Sequence, residues 1–190
     1  MTNKPDLHDV DWSTLPRPQD DGGADHLTNA AFPDIALAAT SGGQINVSSL
    51  EGVSVVFAYP RTGRPDQALP DNWDMIPGAR GCTPQACAFR DLNNELRATG
   101  VSHVFGLSTQ SGAYQSEAAS RLHLPYPLLS DANLKLSDAL QLPTMNVDGM
   151  TLLKRLTMII RKGTIIKWFY PVFPPDESAV QTLDWLNSNI

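Results

Sequence analysis

Val53-Ser54-Val55-Val56-Phe57-Ala58-Tyr59-Pro60 is an almost unbroken apolar run closed by a proline. A run of this kind, without alternation, is the pattern of a strand buried on both faces of a sheet that helices cover. Downstream, Phe89, Leu92 and Leu96 share one face of a helix that starts near Cys82 and runs to about Ala98, where Gly100 ends it. Val101 to Leu107 then reads as a second buried strand. Strand, helix and strand in that order make a right-handed βαβ crossover.

The flanks extend this unit. Ile35-Ala36-Leu37 and Gln44-Ile45-Asn46-Val47 surround Ser41-Gly42-Gly43, the signature of a short hairpin. Helices are expected over 113–122 and 134–140, the latter stopping before Pro143. Two strands, 156–160 and 164–169, are joined by Arg161-Lys162-Gly163, a tight turn that makes this half antiparallel. Asp176-Glu177 opens a last helix with Val180, Leu183 and Leu186 inward. The order predicts an α/β three-layer sandwich with a mixed central sheet and an N-terminal β-hairpin extension. Residues 1–30, with Pro5, Pro16, Pro18 and Gly22-Gly23, read as an extended arm, and 31–190 as the domain, interrupted by a long 60–81 loop.

Composition narrows the functions. The chain has 190 residues, 42% of them hydrophobic, enough for one domain with a proper core. No stretch approaches the roughly 20 apolar residues of a transmembrane helix, and residues 1–23 lack a signal-peptide core, so a cytoplasmic location is expected. A net charge of −6 gives no support for nucleic-acid binding or an anionic membrane surface.

Cys82 and Cys87 are the only cysteines, set in Gly81-Cys82-Thr83-Pro84-Gln85-Ala86-Cys87-Ala88-Phe89-Arg90-Asp91. Thr83-Pro84 reads as an N-cap followed by proline at the first helical position. Cys82 thus lies at the helix mouth, where unpaired N–H groups and the positive end of the dipole favour a thiolate, with Arg80 and Arg90 nearby. On a helical wheel Cys87 falls opposite the Phe89/Leu92/Leu96 stripe, away from where an inert buried cysteine is expected. Helix positions five apart are separated by roughly 8.7 Å between Cα atoms, whereas a disulfide wants about 4.4–6.8 Å. A bond between the two needs the first turn to unwind. Thiol redox chemistry is the leading reading, two inert cysteines the competing one. Zinc fits worse, because His8, His26, His103 and His123 are scattered without ligand spacing.

These residues resemble the peroxiredoxins of the bacterioferritin-comigratory-protein, or Q-type, group, which have a thioredoxin-like fold. The likeness covers about residues 33–189 and rests on the Cys82-to-Asp91 segment, the strand ending in Phe57-Ala58-Tyr59-Pro60, Phe105-Gly106-Leu107-Ser108-Thr109, Leu128-Leu129-Ser130-Asp131 and Arg155-Leu156-Thr157-Met158-Ile159-Ile160. The resemblance implies a thiol-dependent peroxidase acting on hydrogen peroxide or organic hydroperoxides, without a cofactor. Cys82 is then the peroxidatic cysteine, oxidised to a sulfenic acid. Cys87 is the resolving cysteine that forms the intramolecular disulfide. Arg155 holds the thiolate and polarises the peroxide. An external dithiol, thioredoxin or a glutaredoxin-like protein, is the implied reductant, with the enzyme a monomer or homodimer. The competing function is a redox sensor of the same fold without turnover. A thiol–disulfide reductase fits less well, because its two cysteines enclose two residues and these enclose four.

One departure stands out. The family's hydroxyl residue three before the nucleophile is Ala79 here, and its proline four before that is Met75. Thr62, in the 22-residue connection from Pro60 to Gly81, and Thr83 are the candidate replacements for the missing hydroxyl.

Overall fold

The computed structural model describes residues 10–190; the first nine residues of the predicted arm, with His8, lie outside the described residues. In chain order the elements are β1 (Ala36–Ala39), β2 (Gln44–Asn46), β3 (Val53–Ala58), α1 (Cys82–Asp91), α2 (Asn93–Ala98), β4 (Val101–Ser108), α3 (Gly112–Arg121), β5 (Leu128–Ser130), α4 (Lys135–Leu140), β6 (Thr144–Val147), β7 (Met150–Leu153), β8 (Leu156–Arg161), β9 (Thr164–Phe169) and α5 (Ser178–Asn189). Seven strands form one mixed sheet in the order β2-β1-β5-β4-β3-β8-β9, and β6 with β7 makes a separate ribbon. The fold is the thioredoxin-like sandwich that the sequence predicts.

β3 is the centre. All six of its residues are buried, because it pairs in parallel with β4 on one side and antiparallel with β8 on the other. Its side chains alternate between two cores. Val56 and Ala58 pack with Phe105, Leu136 and Met158 on one face. Val55 and Phe57 pack with Ala86, Phe89, Leu96 and Ala179 on the other. There Phe57 stacks flat on Phe89, with 4.3 Å between ring centres, and meets Tyr126 edge-on.

Both predicted hairpins form. Lys162 and Gly163 take positive φ between β8 and β9, the two-residue turn whose twist matches that of the strands. The β1–β2 hairpin lies at the sheet edge, β1 pairing with β5. The remaining differences have local causes. The predicted helix from 82 to 98 is two helices, divided at Leu92. β5 lies outside the sequence expectation because a three-residue strand carries too little pattern, and so does the β6–β7 ribbon, which turns at Asp148-Gly149, both at positive φ. In α5, Val180 is 46% exposed, while Ala179, Thr182 and Leu186 are buried. Of the three residues predicted inward, Leu186 is buried and Leu183 packs partly against the core, whereas the place expected for Val180 is taken by Ala179.

Residues 10–32 form no strand or α-helix, only short 3-10 turns and an isolated bridge from Ala31 to Thr164, yet they lie against the body. Ala24 and Leu27 are fully buried in the core. The Trp12 indole N–H donates to Asp176 at 2.9 Å. Asp21 accepts from Lys154 and from the Tyr170 hydroxyl, which hold its carboxyl down to about 2.

Candidate active site

The site lies where β3 hands the chain to α1. Because Ala58 at the end of β3 pairs with Leu156 at the start of β8, Arg155 stands beside the exit of the central strand. The chain then wanders through residues 60–81 before returning to that spot. Gly81 closes the return with φ +107°. A Cβ there would come within 2.5 Å of Pro175 and 2.9 Å of the Trp12 ring, so only glycine fits.

Helix α1 begins at Cys82 itself, capped by Gly81. The predicted Thr83 cap is therefore corrected: Thr83 and Pro84 are the second and third helical residues. Pro84 still costs nothing there, since the first-turn N–H groups have no intrahelical acceptor.

Cys82 and Arg155 are brought together. Arg155 Nη2 donates to the Cys82 sulfur at 3.4 Å, and the thiol faces the Ala79 carbonyl at 3.6 Å. The same Nη2 lies 3.1–3.2 Å from the carbonyls of Gly78, Ala79 and Arg80. Arg155 is only 2% exposed, so it is not a solvated arginine at a strand start. A guanidinium buried this deeply is kept by its acceptors. Its Nη1 binds the Gln85 side-chain oxygen. Gln85 in turn donates to Ser178 Oγ at 3.3 Å, which bonds Thr157 Oγ1 at 3.0 Å. Gln85 and Ser178 are not among the site residues expected from the sequence. Their only signal was polar side chains at positions that the helix periodicity turns inward.

Cys87 is not where the helical wheel put it. It is 4% exposed and belongs to the α1-side core. The wheel assumed one covered face, but α1 packs against α5 on one flank and lies beside Tyr126 on the other. The Tyr126 hydroxyl donates to the Ala86 carbonyl at 2.6 Å, next to Cys87. Burial raises the Cys87 thiol pKa above its ordinary value, with Arg90 pulling the other way. Both cysteines are free thiols in one continuous helix.

Neither candidate hydroxyl replaces the missing one. Thr62 is buried, but its N–H and hydroxyl donate to Gln110 Oε1 at 3.0 and 3.3 Å. Among the described residues the hydrogen-bond partners of the Cys82 sulfur are Ala79 and Arg155, and Thr83 is not one.

The 60–81 connection walls the approach to Cys82. Arg61, Leu69, Trp73 and Arg80 line a cleft of about 270 Å³ that reaches Cys82 and Pro84. Trp73, buried in a 3-10 turn, packs with Ala79 and Leu152, and Arg80 pairs with Asp74. The cleft has an apolar wall, two cations and the Asp74 carboxylate that pairs with one of them, which suits a small polar group on an apolar body.

Comparison with known proteins agrees with this architecture. The model of the Redoxin family matches residues 27–183. A chloroplastic peroxiredoxin Q of Sedum lineare is 30% identical over 158 residues, 82% of this chain and 75% of its own. A chloroplastic peroxiredoxin Q of Oryza sativa subsp. japonica is 30% identical over 161 residues, 84% of this chain; the chain spans 66% of that protein's length. Among solved structures, peroxidoxin BcpB of Mycobacterium tuberculosis is 26% identical, covering 86% of this chain and 97% of its own with a TM-score of 0.69. Peroxiredoxin Q of Xanthomonas campestris, at 22% identity and a TM-score of 0.66, shares the fold. With a family model matching residues 27–183 and relatives of one group 30% identical over more than four fifths of the chain, the protein belongs to the redoxin family as a Q-type peroxiredoxin.

Proposed function

We propose that the protein is a thiol peroxidase in which Cys82 attacks the peroxide, Cys87 resolves the product and Arg155 stabilises the charge that moves. The observation that carries this reading is the Cys82 sulfur, 3.4 Å from the buried Arg155 guanidinium, at the inner end of a cleft. The sulfur attacks the terminal oxygen of R–O–O–H. The O–O bond breaks, its electron pair leaves on RO⁻, and a proton completes ROH; Cys82 becomes a sulfenic acid. A fixed cation beside both sulfur and leaving oxygen lowers that barrier without reorganising. The Cys87 thiolate then attacks the sulfenic sulfur, expelling water after protonation and leaving a disulfide. An external dithiol such as thioredoxin or a glutaredoxin-like protein restores both thiols. Hydrogen peroxide and organic hydroperoxides are the proposed substrates, and the cytoplasm, a reducing compartment, the proposed setting.

Peroxide consumption with a dithiol reductant tests the assignment. Cys82→Ser should abolish it. Cys87→Ser should consume about one equivalent and stop. Full activity in Cys82→Ser would overturn the reading.

The sensor reading is favoured by one observation, the absence of a hydroxyl from the partners described for the Cys82 sulfur. A second-order rate of Cys82 oxidation no faster than that of a free thiol would select it.

A further inference from the structure

Residues 10–21 lie outside the stretch that the Redoxin model matches, yet they are fixed to the body beside the Cys82 site. The Trp12 indole N–H donates to Asp176 at 2.9 Å, and its ring meets Phe173 edge-on, with 6.2 Å between ring centres. The far edge of the same ring rests on Gly81, where a Cβ would come within 2.9 Å of it. Arg17 stacks over the Phe173 ring, its guanidinium 5.3 Å from the ring centre. Pro18 lies over Gly78, its side chain 3.4 Å from where a Cβ would stand. Asp21 ties the end of this segment to Lys154 and Tyr170.

What the segment covers is the stretch that sets the Cys82 sulfur. The carbonyls of Gly78, Ala79 and Arg80 hold Arg155 Nη2, and the Ala79 carbonyl faces the thiol. Gly81 caps α1, and its carbonyl accepts the Gln85 N–H at 3.0 Å, the first bond of the helix. Pro175 and Trp12 together cover the open face of Gly81. Unwinding the first turn breaks the Gly81–Gln85 bond and frees the glycine to leave that cover.

We infer that Trp12 is a positioning residue for the thiol chemistry. Seated on Gly81 and tied to Asp176, it holds the first turn of α1 wound and the 78–81 carbonyls on Arg155. The contact belongs to the wound form and is lost in the open one, so it biases the balance between them by that difference. Trp12 thereby favours attack on peroxide, which needs the wound turn beside Arg155. It retards disulfide formation, which needs the open turn. The inference rests on the proposed Cys82–Cys87 mechanism, but the hold on the helix is measurable without peroxide.

Amide exchange of the reduced full-length chain is compared with that of Trp12→Ala. Exchange at Gln85, Ala86 and Cys87, whose acceptors lie in the first turn, should quicken by about tenfold or more, with β3 and β4 unchanged. A general loss of stability would move all of these together. Trp12→Phe, which keeps a ring and loses the bond to Asp176, should fall between the two. After about one equivalent of hydrogen peroxide, quenched flow should show disulfide formation in Trp12→Ala faster by about threefold or more, and sulfenic acid formation no faster than in the parent. Unchanged exchange at residues 85–87 in a folded Trp12→Ala would overturn the inference. So would quickening spread equally over β3 and β4, or equal rates of disulfide formation. If the parent forms no disulfide at all, the Cys82–Cys87 mechanism falls, and the exchange comparison alone decides whether Trp12 holds the turn. If Trp12→Ala loses its amide dispersion, Trp12→Phe decides by the same measurements.

Discussion

Cys82 and Cys87 occupy the same helix and are almost equally buried, yet their surroundings differ in kind. Cys82 opens α1 beneath a guanidinium and beside a cleft. Cys87, about 1.4 turns later, sits among Phe57, Phe89 and Tyr126, where burial holds its thiol in the neutral form. The difference teaches how one helix stores two thiols without joining them. One is placed for attack at the mouth, and the other is packed away as a hydrophobe. Under the proposed mechanism the second becomes reactive only when the turn between them unwinds, which exposes it and removes the cause of its raised pKa.

The largest expected effect comes from the Cys82 end. Arg155→Met removes the cation and leaves the Gln85 oxygen and three loop carbonyls without their donor. Oxidation of Cys82 by peroxide, followed by stopped-flow fluorescence, should slow by about 10²–10³-fold, the usual loss for a preorganised charge. Loss of only a fewfold would erase the contrast between the two thiols.

A smaller effect is expected at the other end. Tyr126→Phe deletes the hydrogen bond to the Ala86 carbonyl, worth about 1 kcal/mol. If that bond holds α1 around Cys87, disulfide formation after a single oxidation should speed up several-fold, while the oxidation step itself is unchanged. Quenched-flow trapping of the sulfenic acid separates the two.

The smallest effect concerns pH. The Cys87 thiol pKa is raised in the folded protein above its ordinary 9.0. The unfolded chain therefore loses this proton first. The thiol's contribution to stability is complete below about pH 9 and declines as pH rises through the folded value. In urea titrations at pH 8 and 10, Cys87→Ala should lose less stability between the two than the parent does. An equal loss would mean that burial does not set this thiol's ionisation.

Much of this was legible in the sequence, for physical reasons that differ by element. β3 and β4 announce themselves because strands buried on both faces need unbroken apolar runs, and Lys162-Gly163 because its turn demands positive φ. Cys82 and Cys87 were found by rarity and spacing. Arg155 was found by resemblance alone, since a single arginine before a strand carries no local signal. The burial of Cys87 was misread because a helical wheel sees one helix and not the α5 and Tyr126 contacts from elsewhere in the chain. The Gln85–Ser178–Thr157 relay and the Gln110–Thr62 bond join residues far apart in sequence. No pattern of spacing encodes such pairs; only the folded sheet brings them together.

Amide hydrogen exchange across residues 82–90, compared between the reduced chain and the Cys82–Cys87 disulfide form, tests the central claim most directly. A helical pair about 8.7 Å apart cannot bond at the usual Cα separation. The account predicts protected amides in the reduced form and a loss of protection in the first turns of α1 after oxidation, with β3 and β4 unchanged. Equal protection of residues 82–90 in both forms would contradict it.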